Sequence, residues 1–252
     1  ITYLCFIMPS TNVQPLYQAQ EAFIKTMAGI KPLGFDCMLC GGTALARIYL
    51  HHRVSYDLDF FVDGQFDPDR LAVALGKLGI KLESVQMECG GRFVHQLVGF
   101  TQLGGVQLKV SFIEDSYAGM FPRQRMPFGQ TMFMIESIEG LYHRKLRTVS
   151  GSGNADKPTD GRQAARDLFD LFMLDRTVNK IPDFVKEINQ NGANFPEKAF
   201  VAGLVAMPWI DMTDEFSQMA FDVTNPHLAG VDPINMMTMV RARMQEVFKE
   251  MV

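Results

Sequence analysis

Two aspartates one residue apart, Asp57 and Asp59 in the stretch RVSYDLDFFV, are the residues whose types and spacing point most directly to chemistry. Along a strand alternate side chains share a face, so Ser55, Asp57, Asp59 and Phe61 fall on one side and Tyr56, Leu58, Phe60 and Val62 on the other. Two carboxylates this close repel each other, and a divalent cation bound through oxygen relieves the repulsion most economically, with Mg2+ the natural candidate. A solvated polar strand end is the competing reading of the DxD pattern alone. Upstream, Cys40-Gly41-Gly42-Thr43 joins a short apolar run to a helix. A strand, Gly-Gly turn and helix aim backbone N–H groups at whatever sits above the turn, which suits a phosphate; glycine also serves ordinary tight turns. Arg53 offers a guanidinium fork for a phosphate or for a local carboxylate, and Ser55 shares the Asp57 face.

A second group of charged residues follows later in the chain. Ser137 to Thr148 reads as a helix carrying His143, Arg144, Lys145 and Arg147. Lys145 is either a surface cation or a point charge for a triphosphate oxygen. In the helix expected over 162–174, Arg162 and Arg166 lie one turn apart, as do Asp167 and Asp170, with Leu168, Phe169, Leu171 and Phe172 as apolar surface. These charges either line a cleft or form local surface pairs, each worth under ~1 kcal/mol.

The elements that must position these groups come from hydrophobic periodicity. Leu16, Ala19, Phe23, Ile24 and Met27 recur at three- and four-residue steps and predict an amphipathic helix over 14–31, ended by Pro32 and Gly34. Residues 35–40 predict a buried strand, 43–51 a helix rich in good formers, and 67–80 a helix with Pro68 in its first turn. Strands are expected near 81–88, 92–100 and 106–113, with Gly90-Gly91 and Gly104-Gly105 as hairpin turns. From Thr131 onward strand signals fade. The remainder reads as helices broken by prolines and by the loop 150–161, ending in an amphipathic helix from about 233 to 251. The expectation is an α+β chain: a mixed, largely antiparallel sheet with helices over residues 1–130, then a helical half over 131–252.

A chain of 252 residues that is 47% hydrophobic can bury a full core, as one large or two modest domains. A net charge of −4 argues against a chain-wide electrostatic grip on nucleic acid, so an RNA site would have to be a local cleft. Four cysteines are present: Cys5, Cys37, Cys40 and Cys89. Cys37 and Cys40 have CxxC spacing, but no second pair follows, and FDCMLCGG reads better as a buried strand with Cys as a small hydrophobe. Free cysteines fit a reducing cytoplasm. The apolar start ITYLCFIM has no basic flank and no run reaches the ~20 residues of a membrane span, so neither a targeting signal nor a membrane helix is expected.

Taken together, GGTALARIYL, then RVSYDLDFFV, then a lysine on a helix, then RQAARDLFDL resemble the AbiEii/AbiGii-type nucleotidyltransferases. These are toxin components of some bacterial abortive-infection and toxin–antitoxin systems, related to the MenT toxins. The resemblance runs over roughly residues 38–175. It implies a DNA polymerase β-like nucleotidyltransferase core with a helical C-terminal half closing a nucleotide cleft. It further implies Gly41, Gly42 and Thr43 at the NTP phosphates, Arg53 and Ser55 as the family's R-x-S, and Asp57 and Asp59 as its Mg2+-binding DxD. Lys145 and Arg166 would reach the nucleotide, and Asp167 would be the acidic residue of the R-x-x-x-RDxxD helix that faces the site. The implied catalytic set is Asp57, Asp59, Lys145 and Asp167.

One departure from the resemblance stands out. Superfamily members generally bring a third carboxylate to the metals from a neighbouring strand. Here that strand reads from Gln107 to Glu114, with Ser111 where the acid is expected, Lys109 on the same face, and Glu114 on the opposite one. The implied activity is transfer of NMP from an NTP to an RNA hydroxyl, such as a tRNA 3′ end, or to a protein hydroxyl, with an antitoxin as cognate partner. The alternatives are a catalytically weakened nucleotide- or partner-binding relative, which Ser111 motivates, and a small-molecule nucleotidyltransferase.

Overall fold

The computed structural model describes residues 12–29, 36–88, 94–222, 225–226 and 228–252. Cys5, Cys89, the start ITYLCFIM and the Gly90-Gly91 turn lie outside them. The chain divides into two compact units: residues up to Tyr49 with Val54–Gly140, and Leu50–Arg53 with Leu141–Val252. The second unit thus takes in four residues from the first half of the sequence.

The first unit begins with helix α1 (Gln14–Gly29), whose Leu16, Ala19, Phe23, Ile24 and Met27 are buried as their spacing predicts. Strand β1 (Cys37–Cys40) runs into a single helical turn, α2 (Gly41–Ala44), which widens into a π-helical turn over Leu45–Leu50. One continuous α-helix was expected here; the wider turn ends at His51, whose φ of 46 lies in the left-handed region. Strand β2 (Leu58–Val62) and helix α3 (Pro68–Lys77) follow, α3 capped by the Asp67 carboxylate on the N–H groups of Asp69 and Arg70. Then come β3 (Glu83–Glu88), β4 (Gln96–Leu103), β5 (Val106–Glu114), β6 (Arg123–Phe128) and β7 (Thr131–Glu136). They form a mixed seven-stranded sheet of order β3-β4-β5-β2-β1-β7-β6, in which β1–β7 and β2–β5 are parallel and the other pairs antiparallel.

Strand β7 corrects the expectation that strand signals fade from Thr131 onward, and β6, before it, is a strand outside the expected set. In β7 the inward positions Phe133 and Ile135 alternate with Met132 and Met134, whose unbranched side chains carry no strand preference. Strand β6 is polar and contains Pro127, which a sheet tolerates on an edge such as this one.

One face of the central strands is apolar. Phe60 of β2 stacks on Phe112 of β5 at 4.9 Å, meets Phe133 edge-on at 5.9 Å and touches Phe23 of α1 at 5.7 Å. With Leu58, Phe60 and Val62 turned into that core, the pleat sends Asp59 and Phe61 to the other face, where they are only half-buried. Core packing therefore decides which way the DxD carboxylate faces.

The second unit is helical. Helix α4 (Ile138–Ser150) starts in the first unit and continues into the second; α5 (Ala165–Thr177), α6 (Ile181–Gln190), α7 (Glu197–Val205), α8 (Met212–Ser217) and α9 (Pro233–Met251) follow. Helix α5 is its axis: from Ala165 to Asp175 only Arg166 is exposed. Asp175 at the end of α5 accepts hydrogen bonds from Arg243 of α9 at 2.8 and 2.9 Å, from Lys180 at 3.1 Å and from the Ile181 N–H that opens α6 at 2.9 Å. Tyr142 of α4 stacks on Phe184 of α6 at 4.2 Å and donates to the Asn179 carbonyl at 3.0 Å. Among the described residues, no helix is long and apolar enough to cross a membrane.

His143 of α4 is buried against Phe195, and its pKa is pushed down to about 4, first by burial and then by the charges of Arg147 and Arg144. Below its unfolded value of about 6.5 the unfolded chain takes up a proton that the folded chain refuses, so stability falls as pH drops from about 6.5 toward 4. The expected loss from this group is about 3 kcal/mol across that window. Urea unfolding at pH 7.5 and 4.5 checks it: His143→Leu removes much of the difference, and an equally steep dependence in the variant would assign it to other groups.

Candidate active site

In the first unit the site is built where β1 ends and β2 begins. Gly41 has φ +68, and a Cβ placed on it would stand 2.3 Å from Asp59 Oδ2. Only glycine allows the turn both its backbone conformation and this approach to the carboxylate. The Thr43 hydroxyl, fully buried, donates to the Asp57 carbonyl and ties the first turn of the helix to the DxD segment. Asp57 precedes the first residue of β2, and its side chain is a quarter exposed. Ser55 is buried and its carbonyl accepts from the Gln20 side chain at 2.8 Å.

Strand β5 supplies a partner to each aspartate. The parallel register sets Asp59 opposite Ser111, and the Ser111 hydroxyl donates to Asp59 Oδ1 at 2.5 Å. One step earlier on the same face, Lys109 Nζ lies 3.9 Å from Asp57 Oδ2. Glu114 is turned to the other face, where it accepts the His95 N–H at 3.0 Å. Ser111 therefore occupies the place from which a third carboxylate would reach Asp59. On the other side of Asp59, Cys40 is its cross-strand neighbour and donates from Sγ to the buried Glu136 carboxylate at 3.2 Å. Burial, followed by the charges of Asp36 and Asp63, pushes the Cys37 thiol up to about 12, which suits a packing role.

In the second unit the remaining expected residues gather into one buried ion-pair chain. Asp170 accepts from Arg53 at 2.6 and 2.9 Å, from His52 Nε2 at 2.7 Å, and pairs with Lys145 Nζ at 2.6 Å. Lys145 also donates to Asp167 at 2.7 Å, and Asp167 is gripped by Arg162 at 2.5 and 2.8 Å. Asp167 and Asp170 are fully buried, Lys145 and Arg53 nearly so, while the Arg162 side chain is half-exposed. Burial raises the carboxyl pKa of Asp170, but the charges of Arg53 and Lys145 outweigh it and hold the group well below the usual range. Asp167 is likewise depressed: Lys145 and Arg162 overcome the effect of its burial. His52 is pushed down, with burial stronger than the pull of Asp170, so it is neutral and carries its proton on Nε2 facing the carboxylate. Three cations and two carboxylates leave the chain of pairs with an excess of one positive charge.

Some expected positions change. Arg162 lies in the loop before α5, not on the helix, and reaches Asp167 from there. Gly161 makes this possible: a Cβ on it would meet the Val149 carbonyl at 2.3 Å, and the next residue, Arg162, donates its N–H to the Thr148 carbonyl at 2.7 Å. Arg53 takes the carboxylate option, bidentate on Asp170, and Lys145 is a buried ion-pair partner. Arg166 is exposed on the first turn of α5. His52 escaped the sequence reading, since nothing in the HHR stretch marks one histidine as buried. Among the described residues no group of three or more His, Cys, Asp or Glu side chains is placed to hold a metal ion.

This fold is that of nucleotidyltransferases. It is similar to the crystal structure of JHP933 from Helicobacter pylori, at 18% identity over 96% of this chain and 95% of that one, with a TM-score of 0.53. It is also similar to a second H. pylori structure described as a "putative nucleotidyltransferase", at 17% identity over 94% of each chain and a TM-score of 0.53. The family model for the nucleotidyl transferase AbiEii toxin of type IV toxin–antitoxin systems matches residues 26–225, and the chain belongs to that family. No curated protein matches it. Membership makes the chain a nucleotidyltransferase-class enzyme with a nucleotide substrate, a general family requirement for a divalent metal, and an antitoxin counterpart.

Proposed function

We propose that this protein is a cytoplasmic toxin that moves NMP from a Mg2+-bound NTP to a hydroxyl of an RNA acceptor, such as a tRNA 3′ end, or of a protein. The observation that carries the reading is the contact between the Gly41 turn and the Asp59 carboxylate, which puts backbone N–H groups suited to phosphates beside oxygen donors suited to a hard cation. Asp57 and Asp59 fit such a cation: Mg2+ is typically held by one or two carboxylates, with substrate phosphate oxygens and waters completing its shell. When bound, the cation lowers the pKa of the attacking hydroxyl and neutralises charge on the departing pyrophosphate. The chain's own contribution is placement. Gly41 and Gly42 present N–H groups to the phosphates, Thr43 fixes Asp57 relative to them, and Ser111 holds one oxygen of Asp59 so that the other faces Gly41. For the second unit the reading gives nucleotide handling to Lys145, Asp167, Arg53 and Arg166: Arg53, Lys145 and Asp167 act through the buried ion-pair chain, and Arg166 is the exposed cation of the group. The free thiol of Cys37 agrees with a reducing compartment.

A second reading, a weakened relative that binds nucleotide without turning it over, is favoured by Ser111, because a neutral hydroxyl cannot take the proton a third carboxylate would accept. One assay separates the two. Purified protein is incubated with each α-labelled NTP, Mg2+ and total RNA or bacterial protein; the expected result is label on an acceptor, lost in Asp57→Asn and Asp59→Asn. Nucleotide binding without transfer would favour the weakened relative, and label appearing only on small molecules would move the acceptor class.

A further inference from the structure

We infer that this site takes one divalent cation where a three-carboxylate site takes two, with the Lys109 ammonium supplying positive charge in place of the second ion. The inference rests on the nucleotidyltransferase reading above and deepens it. Its basis is the partner that β5 offers each carboxylate, one neutral and one cationic: the β2–β5 register sets Asp59 opposite Ser111, and Asp57, just before β2, has the Lys109 side chain beside it. The Ser111 hydroxyl is buried at 4% exposure, donates to Asp59 Oδ1 at 2.5 Å and brings no charge. Lys109 Nζ stands 3.9 Å from Asp57 Oδ2, on the face where a second cation would share that carboxylate.

The charge count separates the two cases. Two carboxylates and an ammonium carry −1, whereas three carboxylates carry −3. A second divalent ion would meet the repulsion of the Lys109 charge with no third carboxylate to offset it. No other acid of β5 serves, since Glu114 lies on the opposite face and is engaged by the His95 N–H. Among the described residues no third His, Cys, Asp or Glu converges on the pair.

The test counts ions rather than turnover. Mn2+ is titrated into the full chain with α,β-methylene analogues of the four NTPs, and free Mn2+ is read by electron paramagnetic resonance. The wild type is expected to hold one Mn2+ per bound nucleotide and the Lys109→Gln/Ser111→Asp double variant two. Lys109→Gln alone, at a position 42% exposed and tolerant of change, is expected to tighten Mn2+ binding roughly fivefold. It keeps the test decisive if the buried Ser111 change impairs folding. Two ions in the wild type, or no tightening in Lys109→Gln, would overturn the inference while leaving the proposed function standing. No nucleotide-dependent Mn2+ binding at all would remove both.

Discussion

Asp170→Ala is expected to cost about 4 kcal/mol of folding stability, near the upper end of what single substitutions do. The carboxylate is fully buried, and four donor atoms from three residues converge on it: Arg53 Nε and its terminal nitrogen, His52 Nε2, and Lys145 Nζ. Removing it leaves two buried cations short of their counter-charge, and an uncompensated buried charge is what makes breaking such a pair expensive. Asp175→Ala is the contrasting variant. Of its two cationic partners, Lys180 is half-exposed and can return to water, and Arg243 keeps its pairs with Glu246 and Glu250, so the loss there is expected to be smaller. The pH dependence follows from the direction of the shift. Asp170 has its folded pKa depressed, so its contribution is present above the unfolded value of about 3.9 and is lost as pH falls through and below it. Chemical denaturation of wild type and variant at pH 7 and pH 3.5 reads both effects. A loss under 1 kcal/mol at neutral pH would mean that Arg53 and Lys145 find other partners and that the cluster is not the anchor of the second unit.

The DxD segment and this cluster were not equally legible in the sequence. The DxD strand declares itself through a local pattern: Leu58, Phe60 and Val62 alternate with Asp59 and Phe61, and a period of two assigns faces without any knowledge of neighbours. The same rule put Lys109 and Ser111 on one face of β5 and Glu114 on the other. Register was not available from the strands alone, because the hydroxyl opposite Asp59 is set by a parallel pairing across a long connection. The fates of Arg53 and Lys145 were less accessible still. Each has an ordinary surface or phosphate role open to it until the fold brings Asp170 and Asp167 into contact, and burial of a cation depends on residues distant in the chain. His52 shows the limit most clearly, since its adjacent twin His51 is exposed while it is fully buried. The π-helical turn and the methionine-rich β7 failed for a different reason: their residues have preferences that fit a helix as well as the structure they adopt.

Gly41→Ala is expected to lower transfer activity on the order of a hundredfold while leaving the chain folded. The added methyl would sit 2.3 Å from Asp59 Oδ2 and 3.0 Å from Asp59 Cβ, and the backbone at φ +68 already disfavours an L side chain. The far end of a side chain can rotate away, so the fold accommodates the change at a cost of about 1–2 kcal/mol. The site does not accommodate it. Asp59 can swing clear of the methyl only by leaving the Ser111 hydroxyl, and a displacement of about 1 Å in a positioning group is enough for a loss of this size. Asp59→Asn separates position from charge: the amide keeps the volume of the carboxylate and its oxygen still accepts from Ser111, but the negative charge is gone. In that variant stability is expected to change little and transfer to fall further than in Gly41→Ala, because hard-cation binding depends on the charge itself. Measured transfer rates and thermal midpoints for both variants give the comparison. If Gly41→Ala retained wild-type activity, the Gly41–Asp59 contact would be a feature of folding alone, and the first unit's site would have to lie elsewhere.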